Sequence, residues 1–433
     1  MTGHRTEQEM ESKNTAVNLD RKRWVVLIAS CLINLCIGSI YAWSVFASPL
    51  AEKLTGIQGT LYTAAMLAIV FTVANSVGPI TMISGGYVND KLGPKWVLIV
   101  GGGLFGAGMI CTGLATSLPM LIVTYGLMVG LGLGMAYGCT INNSVKFFPD
   151  KKGLVGGIAT ATYGLSSVII PPIANALTQK VGITSCLVIL GVAFLVIIFV
   201  CSLFIIKCPE GYVPEGYVPS KAVPGKAAGT DQNWKQMLSG PIFYVMIFML
   251  TCGAFSGLMI TSQASPMAQG MTGMSVGMAA TAVSILALFN AGGRIVAGTL
   301  SDKFGRINVL RGAFLLQIVG LALLVGAGEG QTLRFIVATS CIGICFGALM
   351  GVYPGFTADQ FGIRNNSVNY GIMFIGFAVA GYFGPTTCGK ILARTGSYSS
   401  AFIVSIALVL AGLLLSFVYT LVTKKSSASG EKR

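Results

Sequence analysis

Charge is scarce in this chain, and acid is scarcer than base. Of 433 residues only 10% are charged, 14 of them Asp or Glu, and the sole histidine is His4. A soluble domain carries about 25% charged residues, so an ordinary water-facing surface is excluded. Whole stretches hold no charge at all: 24–51, 54–89, 96–145, 153–179, 181–206, 236–293, 312–328, 335–358, 365–389 and 395–423. None of the acids falls at the centre of such a stretch, and no histidine falls in any. A nucleophile–base pair therefore cannot be assembled inside the apolar segments, which disfavours an enzyme. The 11 cysteines are odd in number and nearly all lie in apolar runs. Cys341 and Cys345 stand one helical turn apart, but the tenth segment offers no histidine or carboxylate to complete a metal site. They read as small buried hydrophobes, and no cofactor is expected.

What is present is apolar length. Hydrophobic residues make up 54% of the chain and mean hydropathy is +0.78. A bilayer core about 30 Å thick takes about 20 apolar residues per helix. Spanning β-strands would alternate polar and apolar residues over about ten positions, and these runs do not. The two longest runs are each twice a span and each breaks once, at Ser117-Leu118-Pro119 and between Ser265-Pro266 and Gly273. The pattern predicts an all-α membrane protein with twelve transmembrane helices and the lipid bilayer as its solvent. The first 23 residues are polar and the run after them is too long for a cleavable signal, so the first helix is expected to stay as an uncleaved anchor.

A net charge of +14 in a soluble protein would suggest a nucleic-acid partner; here its distribution gives a different reason, and no nucleic acid is expected. With the N-terminus inside, 22 of the 28 Lys and Arg lie on the cytoplasmic side, five in outer loops (Lys53, Lys180, Arg334, Lys390 and Arg394) and one, Arg294, within a helix. That is the positive-inside asymmetry. It predicts a multi-pass protein of the inner or plasma membrane with both termini cytoplasmic, and a monomer is expected.

The polar stretch 207–239 divides the chain. It holds a local duplication, Glu210-Gly211-Tyr212-Val213-Pro214 followed by Glu215-Gly216-Tyr217-Val218-Pro219, and its Pro and Gly content predicts an extended linker. The expected organisation is a tail at 1–23, a six-helix bundle at 24–206, the linker, a second bundle at 240–423 and a tail at 424–433. The two bundles repeat. Gly86-Tyr87-Val88-Asn89-Asp90-Lys91-Leu92-Gly93-Pro94 follows the second helix, and Gly298-Thr299-Leu300-Ser301-Asp302-Lys303-Phe304-Gly305-Arg306 follows the eighth. Both fit G-x-x-x-D-K-x-G-[P/R] in register, evidence of a parallel duplication of six helices. Gly86 and Gly298 suit close helix approach. Asp90 and Asp302 sit at helix ends, where a carboxylate accepts from exposed backbone N–H groups or pairs with a cation. Asp90, Lys91, Asp302, Lys303 and Arg306 are the candidate gate.

The motif resembles the loop signature of the major facilitator superfamily. The resemblance covers the chain and implies a major facilitator fold, with two pseudo-symmetric bundles and a gate that latches the cytoplasmic side. It implies a secondary transporter working by alternating access, rather than a channel or a non-transporting membrane sensor.

Arg294 is the residue most in need of an explanation. It lies eight residues before Asp302, about 12 Å deeper at ~1.5 Å per residue. A helix-centre Arg costs about 2.5–3.5 kcal/mol on insertion scales. Two arrangements satisfy it: Asn290 one turn earlier together with backbone carbonyls of a neighbouring helix, or an anion held in a central cavity. With no intramembrane acid to neutralise it, the charge favours an anionic substrate. Tyr41 and Trp43 in the first helix, Tyr137 in the fourth and Tyr163 in the fifth would supply hydroxyl and ring contacts. Other patterns lead nowhere. Gly101-Gly102-Gly103-Leu104-Phe105-Gly106 follows no strand, so its glycines, like Gly130, Gly132 and Gly134, suit helix packing. Asn142-Asn143-Ser144 and Asn365-Asn366-Ser367 match glycosylation sequons on the wrong side of the membrane.

Closer resemblance is carried by Tyr41-Ala42-Trp43-Ser44-Val45-Phe46-Ala47-Ser48-Pro49, Phe147-Phe148-Pro149-Asp150-Lys151-Lys152-Gly153, Tyr163-Gly164-Leu165, Asn290-Ala291-Gly292-Gly293-Arg294 and Asn369-Tyr370-Gly371. Together they are similar to the oxalate/formate antiporter family, a relative of the monocarboxylate transporters. The resemblance implies that Arg294 is the substrate arginine and that Tyr41, Tyr137 and Tyr163 face it. The family's second cation, a lysine, corresponds to Phe377, its two tryptophans to Phe346 and Phe374, a tyrosine to Met350 and a glutamine to Ile40. One cation in a more apolar cavity implies a small monocarboxylate such as pyruvate, lactate or formate rather than oxalate. Proton-coupled monocarboxylate carriers have Asp where Asn290 stands, so a carboxylate proton relay is not implied.

Overall fold

The structure, a computed structural model, describes residues 2–64, 66–214, 217 and 231–430, with side chains described between residues 19 and 424. All regular structure among these residues is helical. Eleven helices are long and apolar enough to cross a membrane: α1 (Leu19–Gln58), α2 (Ala68–Leu92), α3 (Pro94–Leu114), α4 (Leu118–Phe147), Lys152–Phe204, α7 (Pro241–Thr272), α8 (Val276–Phe304), α9 (Arg306–Val325), α10 (Thr332–Phe361), α11 (Asn366–Thr395) and α12 (Ser399–Lys424). The 53-residue helix Lys152–Phe204 is two crossings. Gly182 breaks it at φ 78°, ψ 164°, which separates α5 (152–181) from α6 (183–204). Twelve crossings result, and an even number returns both chain ends to one side.

The breaks in the two longest apolar runs have local causes. Between α3 and α4, Ser117 caps the new helix through the Met120 N–H, and Pro119 occupies the first turn, where its missing N–H costs nothing. Between α7 and α8 the break falls at Gly273–Ser275. Gly273 takes a left-handed C-cap, Ser275 caps α8, and Pro266 stays inside α7. Part of the linker differs from an extended chain, since Trp234–Ser239 is a short helix closed by a capping box between Asn233 and Gln236. Residues 215–216 and 218–230, and with them most of the second duplicated segment, lie outside the described residues, as do the side chains of both tails.

α1–α6 pack into one bundle and α7–α12 into the other, and contacts between bundles run mainly through α2, α4 and α5 against α8, α10 and α11. Exposed side chains such as Ile28, Phe248, Leu414 and Leu421 form the surface offered to lipid, where lipid contact replaces the hydrophobic drive between helices. Packing then depends on small residues, and glycine supplies them. On α10, Gly343, Gly347, Gly351 and Gly355 recur every fourth residue. A Cβ at Gly347 would strike the Asn290 carbonyl, and one at Gly351 the Arg294 carbonyl, while across the bundle interface one at Gly157 of α5 would strike the same Arg294 carbonyl. The α8 backbone around Arg294 is thus gripped by glycines on two sides.

Candidate functional site

The duplicated motif closes the side that carries the chain ends. Gly93 and Gly305 each end one helix and start the next at positive φ, 96° and 84°, a conformation L side chains resist. The repeat of glycine at this point therefore reproduces the same turn in each bundle. Gly86 abuts the Ser367 backbone of α11, and Gly298 abuts the Gly153 carbonyl of α5. These contacts correspond under the 212-residue repeat, and both join opposite bundles.

The two carboxylates follow the same rule with different strength. Asp302 accepts from the Gly153 and Leu154 N–H groups at the start of α5, both at 2.9 Å, while Arg306 binds it at 2.7 Å. A carboxylate at a helix N-terminus meets unsatisfied donors and a favourable dipole. Asp90 takes only a longer contact, 3.4 Å, from the Val368 N–H of α11, and its main partner is Lys146 at 2.6 Å. Asn89 of α2 adds a 2.9 Å bond to Ser367.

Asp359, which sequence reasoning missed, completes the stronger half. α10 runs to Phe361, beyond the charge-free stretch, so a carboxylate does lie in the tenth helix, at its end. It accepts from Lys152 of the first bundle at 2.7 Å and from Arg306 at 2.9 Å. Lys91 and Lys303 stand apart from these contacts. The Lys91 ammonium lies over the Tyr87 ring at 4.4 Å, and the Lys303 side chain is exposed. The sequon-like asparagines are buried, and Asn366 donates to Asn142 across the bundles at 2.7 Å.

Deeper lies Arg294, 4% exposed, and among the described residues the only buried side chain with a permanent charge. α8 enters the membrane from the side opposite the chain ends, and helical side chains tilt toward their N-terminus. The guanidinium therefore points away from the latch, to lie against Gly164 at 3.3 Å from where a Cβ would be. Nε donates to Asn290 at 2.9 Å and Nη1 to the Thr160 carbonyl of α5 at 2.5 Å. The first arrangement expected from sequence is thus present, yet it uses two of the five N–H donors.

On the free side stand the tyrosines. α1 tightens into a 3₁₀ turn over Gly38–Ala42, because Gly38 packs against the Tyr163 carbonyl and Ser166; such a turn within a helix commonly marks a functional position. It brings Tyr41 to Tyr163 with centroids 5.4 Å apart, and Tyr163 stands 4.8 Å from Tyr137. Tyr137 and Tyr163 both lie in the field of Arg294, Tyr137 also within reach of its hydrogen bonds. Trp43 turns elsewhere, onto Tyr125 at 4.5 Å. The second bundle answers with phenyl rings. Phe374 stacks on Phe377 at 4.5 Å, Phe377 on Phe346 at 6.1 Å, and Phe374 faces Tyr137 at 5.7 Å. Met350 is buried one turn beyond Phe346 on α10. An apolar groove between α8, α9 and α10, lined by Val296, Leu300, Phe304 and Leu316, holds none of these polar groups.

Twelve membrane-spanning helices in two repeated bundles, meeting over a buried cation, define a membrane transporter. The chain belongs to the Major Facilitator Superfamily, whose family model matches residues 24–385 and 272–433. It is 29% identical to the oxalate:formate antiporter of Oxalobacter formigenes over 92% of this chain and 91% of that one. It is 26% identical to monocarboxylate transporter 12 of Homo sapiens, covering 94% and 84%. Among solved structures it resembles the proton:xylose symporter XylE with a TM-score of 0.72 and 14% identity, covering 92% and 95%, which speaks for the fold alone.

Proposed function

We propose that this secondary transporter carries a small monocarboxylate, such as pyruvate, lactate or formate, by alternating access between the bundles. One observation supports this above the rest: a guanidinium buried at the bundle interface has no carboxylate within its span, keeps donors free and is faced by tyrosines. A carboxylate at this point would take the free donors and neutralise a charge that is otherwise costly in a membrane. The stacked phenyl rings opposite offer an apolar wall and no second cation, which suits one negative charge. The relatives point the same way: one exchanges oxalate for formate and another is a monocarboxylate transporter.

In this reading the latched side is cytoplasmic and the structure is closed toward the cytoplasm. Asp90, Asp302, Arg306 and Asp359 hold that closure, and transport requires their contacts to part. Exchange or uniport fits better than a carboxylate proton relay, because Asn290 is not titratable. Counterflow in proteoliposomes, loaded in turn with mono- and dicarboxylates, tests the assignment. Accelerated uptake of labelled pyruvate, lactate or formate supports it. Acceleration by oxalate alone replaces it with dicarboxylate exchange, and no counterflow with any anion replaces transport with sensing.

A further inference from the structure

One hydroxyl near the arginine has no partner. Tyr370 on α11 is fully buried, and its hydroxyl neither donates to nor accepts from any described protein group. Its helix neighbours Asn366 and Asn369 also leave carbonyl oxygens unpaired, but their amides bind Asn142 and the Gln232 carbonyl. Tyr370 binds nothing. An orphaned buried hydroxyl costs stability, and phenylalanine would remove that cost, as at Phe346, Phe374 and Phe377 in the same ring stack. A tyrosine here calls for a ligand that the protein does not itself supply.

Position says which part of a ligand. Tyr137 and Tyr370 flank the same ring, Phe374, at 5.7 and 5.9 Å. Arg294 acts strongly on Tyr137, while Tyr370 feels Tyr137 more than it feels Arg294. Tyr370 is therefore one step further from the cation than Tyr137, beyond where a carboxylate would sit. We infer that the Tyr370 hydroxyl donates to the oxygen on carbon 2 of the substrate, so that the site selects 2-oxo and 2-hydroxy monocarboxylates over unsubstituted ones. This rests on the monocarboxylate reading of Arg294 and adds a class of substrate to it.

The test compares pyruvate with propionate, which share chain length and carboxylate and differ by the 2-oxo group. Their affinities are measured on purified full-length protein by displacement in counterflow and by ligand-induced thermal stabilisation. Wild type should prefer pyruvate by about tenfold, the worth of one hydrogen bond. Tyr370→Phe should bring the ratio near one, leaving propionate affinity unchanged and the empty protein at least as heat-stable. An unchanged ratio overturns the inference while the monocarboxylate reading stands. So does a Tyr370→Phe protein that loses stability or fails to insert, since the hydroxyl would then be structural. If wild type binds neither acid, the monocarboxylate reading fails and this inference with it.

Discussion

Arg294 of the second bundle donates from Nη1 to the Thr160 carbonyl of the first, 2.5 Å away. The only buried permanent charge among the described residues is thus hydrogen-bonded across the interface that alternating access must remodel. Structural and substrate roles need not compete here, because two donors hold the arginine and the rest face Tyr137. As α5 moves against α8 the Thr160 bond must break, and an anion on the guanidinium can take the released donor.

Asp302 should matter more than Asp90. Asp302 caps α5 through two 2.9 Å bonds and holds Arg306, whereas Asp90 reaches across the bundles through one 3.4 Å contact. Asp302→Asn should insert and fold yet slow turnover about tenfold or more, since hydrogen bonds to charged groups are worth ~1.5–3 kcal/mol. Asp90→Asn should slow it less. Equal, wild-type turnover in both would return the motif to ordinary loop chemistry.

Asp359 links Lys152 of one bundle to Arg306 of the other. Asp359→Asn should weaken closure of that side, raising the labelling of cysteines placed on the inner turns of α5 and α11. Unchanged labelling would show that the glycine contacts alone hold the bundles together.

Gly157 admits no side chain, because its Cβ would strike the Arg294 carbonyl. Gly157→Val should displace α8 and lose substrate protection although it alters no polar group. Gly103, whose Cβ would meet nothing within 4 Å, should accept valine with little change. Similar behaviour of the two variants would mean that glycine packing does not position the arginine.

Asn290 accepts from Arg294 Nε at 2.9 Å. Asn290→Asp would place a carboxylate there and, when ionised, neutralise the cation. Anion binding should then weaken at neutral pH and recover as pH falls and the new carboxyl protonates, while wild type shows no such recovery. A flat pH profile in Asn290→Asp would show that the guanidinium charge does not attract the substrate.

The twelve crossings were legible because a bilayer imposes a one-dimensional rule, charge out and apolar length in. The duplication was legible because Gly86 through Gly93 repeats as Gly298 through Gly305, and a turn at positive φ needs the same glycine twice. Arg294 stood out as an expensive exception. What stayed hidden depends on which helix faces which. Asp359 reads as a loop charge until α10 is seen to carry it beside Lys152, and Lys91 and Lys303 match the motif yet turn away. The four-residue glycine spacing on α10 was a signal that sequence alone could have yielded. The lack of a partner for Tyr370 could not be read, since a missing hydrogen bond leaves no trace in a sequence.

The account depends most on Arg294 acting as the substrate's cation. Binding of labelled pyruvate to purified protein should be lost in Arg294→Ala, by more than a hundredfold if two charged hydrogen bonds go. It should return only in part with Arg294→Lys, whose point charge lacks the guanidinium fork. Phe377→Lys in the same assay should raise affinity for oxalate relative to pyruvate, because a second cation rewards a second charge. Arg294→Ala protein that is folded and binds pyruvate as wild type does would contradict the account, leaving the arginine to Asn290 and Thr160 alone.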